Sequence, residues 1–171
     1  MGANPSRPQL VAVDANVLFD LAAGAEDVVD SMSLIRGRLK EAGLLMPPTV
    51  QHELANWAVQ RENPEKRQAA QEAVQTARSW RIIPANLTAV SLGIAERIAL
   101  RLREVGLVPE EELHDSFILA ESALLECSML LTSDEHLRGI DFERLAYELQ
   151  AVDVAVPLVA TPREIVRKFF R

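Results

Sequence analysis

The sequence is poor in the residues that build disulfide frameworks, zinc sites and aromatic stacking surfaces. It has one cysteine, Cys127, together with one tyrosine, two tryptophans and five phenylalanines. A single cysteine cannot form an internal disulfide or a zinc-type cysteine pair, which indicates a reduced, cytoplasmic protein. So few aromatic side chains argue against a surface that binds nucleic acid by stacking bases.

Long apolar runs and excess positive charge are also missing. No apolar run approaches the ~20 residues that cross a bilayer, and no signal peptide follows Met1. The 18 Lys and Arg residues are outnumbered by 25 Asp and Glu residues, which gives a formal net charge of −7. This balance argues against a protein that holds nucleic acid by its overall charge. Hydrophobic residues make up 49% of the 171 residues, enough for a sizeable core and too many for intrinsic disorder.

Short apolar runs alternate with amphipathic segments along the chain, and this alternation predicts an α/β sandwich with a mostly parallel sheet. The first run is nearly continuous, which is typical of a strand buried on both faces. Five strands are predicted, at residues 9–13, 44–46, 81–83, 127–132 and 152–159. The intervening helices are predicted at about 26–42, 49–59, 63–80, 88–106, 109–126 and 135–150, with a short C-terminal helix at 162–170. We expect a single domain over 1–171, with its core at about 9–160.

Capping residues set several of the predicted helix ends. Gly43 is expected to end the first helix, because glycine favours the position after a helix C-terminus. Thr49, Asn63 and Thr88 are expected to begin later helices as N-caps. Asn63 is the strongest of these signals, because Pro64 follows it at the first helical position.

Four carboxylates stand close to predicted strand ends. Asp14 follows the first strand, Glu53 lies in the helix after the second, and Asp134 lies two residues beyond the fourth. Because functional groups of parallel sheets gather beyond the carboxyl ends of the strands, these three are expected at one rim. Asp115 belongs to the helix that leads into the fourth strand and can reach the same rim.

Three of these residues also have ordinary structural interpretations. Asp14 suits a turn, Glu53 complements the positive end of its helix, and Asp134 suits helix capping. Asp115 is harder to explain in this way, because aspartate is unfavourable inside a helix and this one shares a partly apolar face with Ile118. A carboxylate that points toward a core needs a partner or a metal ion.

Taken together, the four carboxylates predict a divalent metal site. Carboxylates that converge in one cleft repel each other, and their pKa values rise unless cations are present. Mg²⁺ and Mn²⁺ prefer oxygen ligands and supply that charge. Two such ions can activate a water and stabilise the leaving oxygen in phosphodiester cleavage.

In four ordered motifs between about residues 10 and 159, the chain resembles the PIN-domain ribonucleases, including the VapC-like toxins. The motifs are Val13-Asp14-Ala15-Asn16, Glu53, His114-Asp115 with the Ser-Phe-Ile-Leu-Ala that follows, and Leu130-Leu131-Thr132-Ser133-Asp134. The resemblance implies a three-layer α/β/α sandwich and an endonuclease that uses Mg²⁺ or Mn²⁺ to cleave RNA. It implies catalytic and metal-binding roles for Asp14, Glu53, Asp115 and Asp134. Asn16 and the hydroxyl of Thr132 or Ser133 would support the site through hydrogen bonds.

The resemblance also bears on partners. Many members of the family are toxins paired with an antitoxin protein, others process ribosomal RNA, and homodimers are frequent. This chain departs from the toxin pattern at Glu135-His136-Leu137 and in an extended helical hairpin from Asn63 to Trp80. The apolar helix surfaces at 34–35 and 100–102 fit either a dimer interface or a core.

Three other functions are compatible with parts of the sequence. His114-Asp115 is the metal-binding pair of the HD phosphohydrolases, although that fold is all-helical. A phosphatase of the haloacid-dehalogenase type would use Asp14 as its nucleophile, but Asn16 stands where it needs a second aspartate. The third is a PIN-like module that binds RNA or protein without cleaving it.

Overall fold

The structure is a computed structural model that describes residues 8–39 and 42–169. Five strands lie within these ranges: β1 (Leu10–Val13), β2 (Gly43–Met46), β3 (Ile83–Pro84), β4 (Met129–Leu131) and β5 (Leu158–Ala160). The helices of the first half are α1 (Ala15–Ala22), α2 (Glu26–Arg38), α3 (Pro48–Val59), α4 (Pro64–Ser79) and α5 (Ala89–Glu104). Those of the second half are α6 (Leu113–Leu124), α7 (Glu135–Arg138), α8 (Phe142–Gln150) and α9 (Pro162–Phe169).

The strands form one sheet in the order β3-β2-β1-β4-β5, and every neighbouring pair is parallel. From β1 the chain moves outward through β2 to β3 and then returns to the other side of β1 with β4. The topological switch point, where open α/β sheets bind their ligands, therefore lies between β1 and β4. The predicted α/β/α fold with five strands is confirmed, and the described sheet is entirely parallel.

The core is centred on β1, where Val11, Ala12 and Val13 are fully buried. This burial agrees with the continuous apolar run from which the strand was predicted. Ile35 and Leu102, considered above for a dimer interface, lie in the core, whereas Leu100 is exposed. Among the described helices, none combines the length and apolar character needed to span a membrane.

One helix was missed. Helix α1 begins immediately after Asp14, in a region where the sequence predicted no helix before residue 26. It has only eight residues, of which Ala15, Val17, Leu18 and Leu21 are buried, so it is too short for a helical period to stand out in the sequence.

Two predicted caps near β2 are wrong. Gly43 does not end α2 but begins β2, and residues 40 and 41 at the predicted helix end lie outside the described ranges. Thr49 is not the N-cap of α3; Pro47 holds that position and Pro48 is the first helical residue. The predictions for Asn63 and Thr88 are confirmed, because their side chains accept hydrogen bonds from the backbone of Lys66 and Ser91.

The remaining differences concern segment ends. The helix expected from Pro109 begins at Leu113, and the helix expected at 135–150 is divided by a new N-cap at Asp141. Strands β4 and β5 are shorter than predicted. Strand β3 begins two residues later than predicted, because Arg81 adopts a left-handed backbone conformation (φ 53°) that a strand does not accommodate.

Candidate active site

Asp14 lies at the carboxyl end of the central strand and is 3% exposed. Its carboxylate is the N-cap of α1, with Oδ1 accepting a 2.6 Å hydrogen bond from the backbone N–H of Ala15. Oδ2 accepts hydrogen bonds from the Thr132 hydroxyl, at 2.6 Å, and from the Asn16 amide, at 3.1 Å. The side chain is therefore held in one orientation at the switch point between β1 and β4.

The segment after β4 is tied to the segment after β1. Thr132 is fully buried, and its hydroxyl oxygen accepts a 3.0 Å hydrogen bond from the backbone N–H of Asp134 while donating to Asp14. The backbone N–H of Ser133 donates to the Asn16 side-chain oxygen at 3.0 Å. Of the two hydroxyls proposed as alternatives, the Thr132 hydroxyl makes the contact with Asp14, and Ser133 contributes its backbone.

Asp134 is the N-cap of the short helix α7. Its Oδ1 accepts hydrogen bonds from the backbone N–H groups of His136, at 2.7 Å, and Leu137, at 3.3 Å. The capping interpretation of this residue is therefore correct. It coexists with proximity to the other acids, because Asp134 raises the pKa of both Asp14 and Asp115.

Asp115 lies in the first turn of α6 and not in a helix interior, because the helix begins later than predicted. Its Oδ2 atom is buried and has no hydrogen-bond partner among the described residues. Desolvation by burial raises the pKa of this carboxyl to about 7, and the charges of Asp134, Asp14 and Glu112 act in the same direction. An unpaired buried carboxylate oxygen is costly to the fold unless a cation or proton compensates it.

Burial also dominates at Asp14, where it raises the pKa to about 6. The hydrogen bonds from Thr132 and Ala15 oppose this shift, whereas the charges of Glu53 and Asp134 add to it. Glu53 is partly buried on α3. The four predicted carboxylates thus lie within electrostatic range of one another through Asp14 and Asp115.

The four side chains do not form a closed ligand shell. Within residues 8–39 and 42–169, no three His, Cys, Asp or Glu side chains are arranged so that they could already enclose a metal ion. Both carboxylate oxygens of Asp14 and the Oδ1 atom of Asp134 accept hydrogen bonds. The buried Oδ2 atom of Asp115 accepts none from the described residues.

Glu112 was missed by the sequence-based prediction. Its Oε1 lies 3.6 Å from Nε2 of His136, so this pair spans the rim between the start of α6 and α7. Glu112 raises the pKa of Asp115, and His136 lowers it. The N-cap position before the helix that carries Asp115 is the only local signal that points to Glu112. Of the other histidines, His114 is exposed and the fold is not all-helical, so the HD phosphohydrolase interpretation is wrong.

Comparisons with known proteins agree with this architecture. The PIN domain family matches residues 11–143. No curated protein sequence matches the chain significantly. Among solved structures, VapBC2 from Rickettsia felis bound to a DNA fragment from its promoter matches with a TM-score of 0.62 and 12% identity, over 90% of this chain and 98% of that chain. VapBC-1 from nontypeable Haemophilus influenzae matches with a TM-score of 0.54 and 14% identity, over the same shares of the two chains.

Proposed function

The chain belongs to the PIN domain family, and on that premise we propose that it is a metal-dependent endoribonuclease that hydrolyses RNA phosphodiester bonds. The catalytic and metal-binding residues are Asp14, Glu53, Asp115 and Asp134. The observation that carries the proposal is the buried Oδ2 atom of Asp115, which has no hydrogen-bond partner in the described chain and lies within electrostatic range of three other acids.

These residues fit a hard divalent cation. They offer only carboxylate oxygens, which Mg²⁺ and Mn²⁺ prefer. Burial and mutual repulsion raise the pKa values of Asp14 and Asp115, and a cation would relieve both effects. Mg²⁺ keeps several waters in protein sites, so the absence of a closed shell of three side chains in the described residues is compatible with binding.

The chain's own residues prepare the site for this ion. Thr132 and Asn16 fix the orientation of Asp14. The capping bonds to Asp134 engage its Oδ1 and so fix the direction of the carboxylate. Asp115 contributes a buried anionic oxygen, and Glu53 adds negative charge from α3. When bound, a divalent cation acidifies the attacking water and stabilises charge on the phosphate.

The acidic composition limits how the protein holds RNA. A formal charge of −7 excludes tight non-specific binding through the overall field. Two divalent ions would offset the charge of the four carboxylates. The RNA phosphate would then be attracted by these bound cations and not by the overall charge of the protein.

A toxin role is supported by the two structural neighbours, both of which are VapBC complexes. Because this chain aligns with 98% of each matched chain, the similarity is not confined to one motif. We propose that the protein is a VapC-like toxin that binds an antitoxin; the homodimer that the resemblance implies stays a prediction, since Ile35 and Leu102 lie in the core. The protein is expressed from an inducible promoter in a bacterial host. Growth arrest by the wild type, but not by Asp14→Asn, would support the toxin role. Unaffected growth, together with nuclease activity of the purified wild type, would overturn it.

The nuclease proposal is tested with purified protein and mixed-sequence RNA in Mn²⁺, Mg²⁺ or EDTA. Wild type is expected to cleave only with a divalent ion, and Asp115→Asn is expected to lose at least about 100-fold in rate because a ligand is removed. Hydrolysis of a phosphate monoester without RNA cleavage would favour the phosphatase alternative. RNA binding without turnover under any metal would favour the non-catalytic module.

A further inference from the structure

A second buried carboxylate lies outside the candidate site. Glu121 is on α6, six residues after Asp115, and is 2% exposed. Its Oε2 accepts a 2.9 Å hydrogen bond from the backbone N–H of Thr49, and its Oε1 accepts a 2.7 Å bond from the Thr49 hydroxyl. Both oxygens are thus committed to one residue that is 72 positions away in the sequence.

Helix α3 needs this contact because its own sequence provides no cap. Pro47 at the N-cap position makes no side-chain hydrogen bond to the helix, and Pro48 has no N–H. The N–H of Thr49 is therefore the first backbone donor of the helix, with no acceptor in the turn before it. Glu121 satisfies this donor and places a negative charge at the positive end of α3.

The turn that Glu121 holds leads directly to Glu53. Thr49 and Glu53 are four residues apart on α3, so they lie one above the other on the same face of the helix. Glu53 in turn acts on the carboxylate of Asp14. Helix α6 consequently supplies Asp115 from its first turn and, six residues later, holds the start of the helix that carries Glu53.

We propose that Glu121 is a positioning residue, which sets the placement of Glu53 relative to Asp14 by anchoring the first turn of α3 through Thr49. This inference rests on the proposed function for the role of Glu53. Groups that orient metal ligands in this way typically change metal affinity by 10–100-fold when they are removed.

The test uses Mn²⁺ as the probe and the full chain. Glu121→Gln and Thr49→Val are expected to weaken Mn²⁺ binding in calorimetry by about 10-fold and to lower kcat on RNA with little change in KM. Thr49→Ser retains the hydroxyl and is expected to bind Mn²⁺ with the affinity of the wild type. The control is Glu164→Gln, because Glu164 accepts hydrogen bonds from the N–H and the hydroxyl of Thr161, both through Oε2, at the start of its own helix α9, which carries none of the proposed ligands. The control is expected to leave Mn²⁺ affinity unchanged.

A double-mutant cycle separates positioning from general destabilisation. In a Glu53→Gln background, Glu121→Gln is expected to have little further effect on the Mn²⁺ dissociation constant. The proposal would be overturned if the effects of the two substitutions on the free energy of Mn²⁺ binding were fully additive. It would also be overturned if Glu164→Gln lost as much Mn²⁺ affinity as Glu121→Gln.

A crystal structure of metal-free Glu121→Gln provides a readout that does not depend on activity. The first turn of α3 is expected to be displaced relative to Asp14, and an unchanged turn would overturn the positioning role. If the wild type binds Mn²⁺ but cleaves no RNA, the proposed function fails while the cycle still tests Glu121. If the wild type binds no divalent ion, the function fails and the structure of the variant decides the inference.

Discussion

The hydroxyl of Thr132 donates a 2.6 Å hydrogen bond to Oδ2 of Asp14, and so joins the residue after β4 to the residue after β1. The same hydroxyl oxygen accepts from the N–H of Asp134. One buried threonine therefore holds the carboxylate of Asp14 and the backbone of Asp134 at the point where the strand order reverses. This link explains how residues 118 positions apart keep a common geometry.

Substitution Thr132→Val removes this bond while preserving the shape of the side chain. The Asp14 carboxylate loses a donor that lowers its pKa, so its pKa is expected to rise above about 6. The N–H of Asp134 loses its acceptor, and we expect the free energy of unfolding to fall by about 1–3 kcal/mol. Denaturant unfolding and NMR titration of Asp14 measure these effects. Thr132→Ser is the control, and a valine variant with unchanged stability and pKa would contradict the role assigned to the hydroxyl.

In the metal-free protein, the contribution of Asp14 and Asp115 to the free energy of unfolding is expected to fall as pH rises from about 4 to 7. Their pKa values are raised from 3.8 to about 6 and about 7, so the folded state binds these two protons more tightly than the unfolded chain. Their contribution therefore favours folding at low pH and is lost as pH passes through the folded pKa values. Melting temperatures in EDTA across this range measure the slope.

Asp115→Asn should flatten that slope, because the variant has no carboxyl to titrate at this position. Saturating Mn²⁺ should flatten it in the wild type, since a bound cation favours the ionised carboxylates. A slope that is identical in wild type, variant and Mn²⁺-loaded protein would show that these groups do not titrate as described.

Asp14→Asn should remove metal binding while α1 keeps its cap, because asparagine is as good an N-cap as aspartate and the cost of burying a charge disappears. Its amide nitrogen cannot accept the bonds that Thr132 and Asn16 donate to Oδ2, so the melting temperature with Mn²⁺ is compared with that of the same protein without metal. Wild type at 100 times the Mn²⁺ dissociation constant should gain about 2.7 kcal/mol of stability, seen as a higher melting temperature. The variant should show almost none of this gain.

The matched control for this prediction is Asp141→Asn, which alters another aspartate N-cap, on α8, whose Oδ1 accepts from the backbone of Glu143 and Arg144 and which is not among the proposed ligands. It should retain the full increase in melting temperature with Mn²⁺. An Asp14→Asn variant that keeps the increase would remove Asp14 from the metal site.

Features with a local signal could be predicted from the sequence. The continuous apolar run predicted the buried central strand, and the Asn63-Pro64 pair predicted the start of α4. The strand ends placed Asp14 and Asp134 at the rim, because parallel strands end at one edge of the sheet. The family resemblance led to the proposed nuclease function, which these patterns alone did not distinguish from phosphatase chemistry.

Features that depend on contacts between distant segments could not be predicted. Thr49 looked like a cap from its neighbours, but its hydroxyl donates to Glu121, which belongs to another helix. The start of α6 at Leu113 moved Asp115 from a helix interior to a first turn. Only the packed structure shows that Asp115 has an oxygen with no hydrogen-bond partner in the described residues.

The central claim is that the four carboxylates jointly hold a divalent cation. Anomalous diffraction from crystals of the wild type and of Asp115→Asn soaked in Mn²⁺ tests it most directly, because Mn²⁺ is located independently of any assay. The account predicts a strong anomalous peak beside Asp115 and Asp14 in the wild type, and its loss or marked weakening in the variant. A well-soaked wild-type crystal with no peak at this rim, or with Mn²⁺ only at other acidic residues, would contradict the account.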